Sequence, residues 1–297
     1  MGLDDPISRY IADVPNGDRL TLRQLANMTS GLASYSFEPD WLEAWFADPS
    51  RSWRPEELVA VSLAATRAGC PNQPAAACFP PGESLFYNNT NTVMLGLVVE
   101  RVTGRPFAEV LQEKILGPLG LTETSFPTGA ALPQPFAHGY SLQGFPEDIE
   151  EYDATFMDPS WGWTAGQMVS TVDDLAIWAR ALVRGTLLSP PMQSQRLTPA
   201  TLPANTADRA YALGIGLTEG WWGHTGELPG YNTVMYYRPD VDATLVVSAN
   251  HDTVASDGQD VSPASAFASR IIAVGAREAP LGALDPAVPF SDPPLQP

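Results

Sequence analysis

Apolar residues recur at helical spacing through the first two thirds of the chain, and from Tyr211 onward the pattern changes to that of short strands. Near the start, Asp4-Asp5-Pro6-Ile7 places acids ahead of a proline and predicts a helix start. Thr21-Leu22-Arg23-Gln24 is a capping box with Leu22, Leu25 and Ala26 on one face. Residues 41–46, with Trp41, Trp45 and Phe46, form an aromatic stripe that reads as ordinary core rather than as the cover of a cleft. Pro55-Glu56-Glu57 opens an amphipathic helix running towards Arg67, and residues 93–102 are apolar nearly all round, as a central buried helix should be. A further helix is expected over 107–116. Ser170-Thr171 caps another over 175–183, where the helix dipole explains Asp173 and Asp174. Residues 211–217, 231–237 and 243–248 predict three antiparallel strands, with turns at Leu228-Pro229-Gly230 and Pro239-Asp240. The last helix is expected over 265–276.

These elements predict an α+β chain: a mainly helical lobe over 1–205, a three-stranded antiparallel sheet with a terminal helix over 206–278, and a disordered proline-rich tail over 279–297. With 297 residues, 44% of them hydrophobic, the chain can bury a substantial core. Against 34 acidic residues stand 16 basic ones, a formal charge of -18. Such a surface repels phosphate backbones and anionic lipid, which argues against nucleic-acid and membrane-surface partners. Glu147, Asp148, Glu150, Glu151 and Asp153 read as a solvated acidic loop. No apolar run reaches membrane-spanning length. Cys70 and Cys78 bracket a proline-rich loop; a local disulfide, hence an oxidising compartment, is one reading and two buried thiols the other.

The chemistry-bearing stretch is Trp222-Gly223-His224-Thr225-Gly226-Glu227, which reads as the end of a strand turning towards another. Its glycines let a ligand approach the backbone, and such an edge offers N–H and C=O groups to an extended substrate. Asn88, Asn91 and Ser170 read as capping or structural residues, while His138 and His251 sit in turns without an assigned role. No metal cluster, phosphate loop or nucleotide fingerprint occurs, so no cofactor is expected.

Tyr87-Asn88-Asn89 followed by His224-Thr225-Gly226 resembles the Y-x-N and K/H-T-G motifs of the serine β-lactamase and penicillin-binding superfamily, in the branch of class C β-lactamases, D-alanyl-D-alanine carboxypeptidases and esterases. Leu22-Arg23-Gln24-Leu25, Thr29-Ser30-Gly31-Leu32 and Pro118-Leu119-Gly120-Leu121 support the resemblance, which extends from Leu3 to about Ala273. It implies a β-lactamase/transpeptidase-like fold and a small-molecule amide or ester substrate attacked by a serine. It implies Tyr87 as general acid/base and Asn89 as partner of substrate and lysine. His224, Thr225 and Gly226 would dock the substrate strand, and the Glu227 N–H would face the oxyanion.

The sequence departs from that family at the nucleophile. Lys114 is the only lysine and Leu111 stands three residues before it, so no Ser-x-x-Lys occurs. The expectation is a chain lacking the terminal helix, two strands and nucleophile helix of the family, unstable and inactive alone, whose full protein works outside the cytoplasm. The competing expectation is a non-catalytic binding or regulatory protein on the same scaffold. Histidine in the third motif resembles the carboxypeptidase and esterase branches. The stretch 214–220 offers Thr218 and Glu219 but no arginine for a substrate carboxylate, which favours an esterase or amide hydrolase.

Overall fold

The computed structural model describes residues 1–65, 78–144, 150–252 and 262–278. The tail 279–297, Arg67, Cys70, Glu147 and Asp148 lie outside the described residues, and with them the readings of tail, disulfide and loop that depend on them. Cys78 is buried beside Ala33 and Ala65.

The helical part begins with α1 (Leu22–Ala26), for which the Thr21–Gln24 capping box forms in full. The helix start expected at Pro6 is instead a single 3-10 turn, Ile7–Arg9. There the Ile7 N–H is taken by the Leu20 carbonyl, and the Arg9 guanidinium and Tyr10 hydroxyl both turn back to Asp5. Next come α2 (Pro39–Ala47) and α3 (Pro55–Leu63), each with proline in its first turn, where the missing N–H costs nothing. Trp41, Trp45, Trp53 and Trp161 are all buried, with ring centroids of Trp45 and Trp161 4.3 Å apart. The aromatic stripe is therefore core. Truncating any one of these rings is worth about 3–5 kcal/mol.

Helix α4 (Asn89–Thr103) runs through this core, with Val93, Met94 and Val98 buried and Gly104 closing it in the left-handed conformation. The helix expected over 107–116 is α5 (Phe107–Leu111), a π-helical turn over Gln112–Leu116 and α6 (Gly117–Leu119), ended by Gly120 at φ 67°. Two short strands, β1 (Tyr140–Ser141) and β2 (Tyr152–Asp153), pair antiparallel. Helices α7 (Val172–Arg184) and α8 (Pro190–Arg196) follow. Asp174 does more than face a helix dipole: it is buried and accepts from the Glu123 N–H and the Thr124 hydroxyl.

The sheet has five strands, not three, in the order β3 (Arg209–Tyr211), β4 (Gly216–Thr218), β5 (Trp221–Leu228), β6 (Tyr231–Arg238) and β7 (Ala243–Ala249), all antiparallel. The single strand expected over 211–217 is split by a tight turn. The Ala212 N–H bonds the Ile215 carbonyl, while Gly214, at φ 66°, donates its N–H to Ala26 at the end of α1. Helix α7 packs its Ala179, Leu182 and Val183 on one face of the sheet, against Met235 and Tyr237. Helix α9 (Pro263–Glu278) covers the other through Ala264 and Ala268. No helix among the described residues is long and apolar enough to cross a membrane.

Candidate active site

Tyr87 is delivered by a segment laid along 28–31. The Phe86 N–H bonds the Met28 carbonyl and the Gly82 N–H bonds that of Thr29. Asn88 then turns the chain into α4 as its N-cap: its Oδ1 accepts from the Thr90 N–H at 2.8 Å and its Nδ2 donates to the Leu32 carbonyl at 2.6 Å. The Ser30 hydroxyl donates to Asn91 Oδ1 at 2.7 Å. Asn88 and Asn91 thus serve structure, as their sequence context indicates. Asn89 is 9% exposed and its Nδ2 donates to Ser36 Oγ at 3.2 Å.

The facing wall is β5. Its two-residue turn at Pro229-Gly230, with Gly230 at φ 82°, makes Leu228 and Tyr231 a hydrogen-bonded pair. Such pairs alternate along an antiparallel ladder, so Thr225 and Glu227 direct their N–H and C=O groups away from β6. On that side β4 pairs only as far as Gly216↔Gly223. The backbone of Thr225 and Glu227 therefore points past the end of β4. Gly223 is required by packing, since a Cβ there would overlap the Met235 carbonyl oxygen; a Cβ at the exposed Gly226 would meet nothing within 4 Å.

The structure brings Tyr87 and His224 together. Their ring centroids are 5.7 Å apart, and the Tyr211 ring lies 5.9 Å from Tyr87 and 5.7 Å from His224. Tyr211 is buried and its hydroxyl lies 3.0 Å from His224 Nε2, while His224 Nδ1 lies 2.6 Å from the Thr225 carbonyl oxygen. Burial pushes the His224 pKa down, against a smaller opposing effect from the bond to Thr225. Tyr211 escaped sequence reasoning, which treated it only as the start of a strand.

Glu227 is placed by a buried carboxylate distant in sequence. Gln143 Nε2 donates to Glu227 Oε1 at 3.2 Å and to Asp252 Oδ2 at 3.1 Å. Asp252 also accepts from the Ser141 hydroxyl, the Leu142 N–H and the Gly230 N–H, the last at 2.8 Å. One carboxylate thereby ties the 140–143 segment to the β5–β6 turn. Nearby, His138 pairs with Asp153 and His251 with Glu151, so these two acids of the expected solvated patch have partners. No group of residues that could hold a metal ion occurs among the described residues.

Comparison with known proteins gives the family and the fold. A family model described as Beta-lactamase matches residues 1–269. A penicillin-binding protein of Bacillus subtilis (strain 168) is 26% identical over 270 residues, covering 85% of this chain and 56% of the relative. The chain thus spans a little over half the length of the curated relatives it matches. Among solved structures, a D-stereospecific amidohydrolase from Streptomyces sp. superposes with a TM-score of 0.76 at 30% identity, covering 85% of this chain and 75% of that one. A D-amino acid amidase from Ochrobactrum anthropi SV3, complexed with L-phenylalanine amide, gives a TM-score of 0.67 at 25% identity, over 86% of this chain and 71% of the amidase.

Proposed function

The chain belongs to the beta-lactamase family and has the fold of its serine hydrolases, and from that premise we propose that it forms the acid/base and substrate-docking walls of an acyl-transfer site for an uncharged amide or ester. The observation that carries this reading is the approach of the Tyr87 and His224 rings to 5.7 Å, from segments 137 residues apart (224 − 87). In this reading Tyr87 moves the proton to the leaving group, and Asn89 contacts the substrate amide. The Thr225–Glu227 edge takes the substrate as an added strand, with the Glu227 N–H towards the oxyanion. The amidase and amidohydrolase neighbours support an amide substrate of the D-amino-acid type. A site outside the cytoplasm accords with the penicillin-binding relative and with the disulfide reading of Cys70 and Cys78.

No Ser-x-x-Lys stands in the sequence, and this specific feature favours a second reading, a cleft that binds such ligands without turning them over. Reading the coding DNA upstream of the Met1 codon separates the two. An in-frame Ser-x-x-Lys supports the hydrolase, and expression including it should yield a serine labelled by a fluorescent penicillin or a D-phenylalanine amide hydrolysis activity. Neither motif nor labelling leaves the binding protein.

A further inference from the structure

His224 is the residue of the third motif whose chemistry is least determined by the sequence, because an imidazole can donate, accept or carry charge. Its two nitrogens are fixed by different partners. A peptide carbonyl only accepts, so the 2.6 Å approach of Nδ1 to the Thr225 oxygen requires a proton on Nδ1. The other nitrogen, Nε2, then either accepts from the Tyr211 hydroxyl at 3.0 Å as neutral imidazole or donates to it as imidazolium. Among the described residues, the titratable groups in ring contact with His224 are Tyr87, just before α4, and Tyr211 on β3, both phenols rather than carboxylates. An imidazolium enclosed there would be a desolvated and uncompensated cation.

We propose that Tyr211 is a positioning residue: its hydroxyl donates to His224 Nε2 and holds the imidazole as the neutral Nδ1–H form, giving the cleft an uncharged wall. His224 is then neither the acid nor the base of the reaction. It is a bridge that carries one hydrogen-bonded line from Tyr211 through the ring to the Thr225 carbonyl, fixing the peptide along which substrate docks. A wall of two phenols and a neutral imidazole accepts a carboxamide or ester and gives a carboxylate no charge partner. The inference rests on the proposed function only in taking this wall as part of the ligand cleft; the state of the imidazole is a property of the protein by itself.

The test is therefore made without turnover. The chain has three histidines, His138, His224 and His251, so long-range nitrogen–proton NMR of histidine-labelled protein resolves each ring, and His224→Asn assigns the signal by its loss. At pH 7.5 the His224 ring should show a protonated Nδ1 and an imine-type Nε2. In Tyr211→Phe, which keeps the ring packing, the Nε2 resonance should move to that of an acceptor lacking its donor. The protonation midpoint of His224 should rise by about 0.5–1 pH unit, the equivalent of one hydrogen bond to the neutral form, with His138 and His251 unmoved. A proton on Nε2 or an imidazolium in the wild-type protein overturns the inference, and this holds even if the phenylalanine variant does not fold. Unchanged His224 signals in a folded Tyr211→Phe overturn it equally. Loss of the hydrolase reading would leave these spectra as expected, so the two failures are distinguishable.

Discussion

The Tyr87 and His224 ring centroids lie 5.7 Å apart, Tyr87 on the segment that leads into α4 and His224 on β5. This contact joins the two recognisable motifs. It also means that each motif can be tested for what it does to the other.

Tyr87→Phe removes a hydroxyl and keeps the ring contacts with Tyr211 and His224. In a preparation of the protein that hydrolyses an amide or ester, kcat/KM should fall by about 10²–10⁴-fold, the usual worth of a positioned acid/base. Steady-state kinetics checks this, alongside a thermal melt that should move little. A variant of full activity would remove Tyr87 from the chemistry.

Gly223→Ala and Gly226→Ala, three residues apart on β5, should differ. At Gly223 the new methyl meets the Met235 carbonyl, so β6 must shift, costing roughly 1–3 kcal/mol and lowering the melting temperature by several degrees. At Gly226 the methyl meets nothing, so stability should hold within about 0.5 kcal/mol while affinity for a docked amide falls. Calorimetric melts and ligand titration of both variants give the comparison; equal melts would mean that the close approach of β5 and β6 is not as described.

Asp252→Ala takes the acceptor from the Ser141 hydroxyl, the Leu142 and Gly230 N–H groups and the Gln143 amide at once. The expected loss is roughly 2–5 kcal/mol in urea denaturation, because buried donors are left without a partner. The disturbance should also reach Glu227, since Gln143 bridges the two carboxylates. A variant as stable as wild type would show that these donors find other acceptors.

His224 has a pKa depressed below its ordinary 6.5 by burial, so the unfolded chain takes up its proton first as pH falls. The stability this contributes is fully present above pH 6.5 and is lost as pH falls towards the folded pKa, with a slope of up to about 1.4 kcal/mol per pH unit. The perturbed carboxylates act in a lower range: Asp153 and Glu113, held at about 2, affect stability below their ordinary values near 4. Denaturation at pH 7.5, 6.5 and 5.5 should show a steeper loss for wild type than for His224→Asn. Parallel curves would contradict the depressed pKa.

Much of this site is written in short stretches of sequence, and the reason is locality. A capping box at Thr21–Gln24, a proline–glycine turn at 229–230 and the Tyr-Asn-Asn and His-Thr-Gly triplets each consist of residues within a few positions, so they can be recognised without the fold. The strand expected over 211–217 comes apart into β3 and β4 around Gly214, whose N–H bonds Ala26, a partner 188 residues away (214 − 26), and β5 is not among the three strands expected. Tyr211 stayed hidden for the same reason, its hydroxyl being defined by a histidine on another strand. So did the Gln143–Asp252–Glu227 link, which spans loop, turn and sheet. The sequence by itself determined the family, the capped start of α1, the proline start of α3 and the β5–β6 turn. Only the tertiary structure decided which residues close the cleft and how the imidazole is held, because a hydrogen bond between distant segments exists only once packing has brought its donor and acceptor within 3 Å.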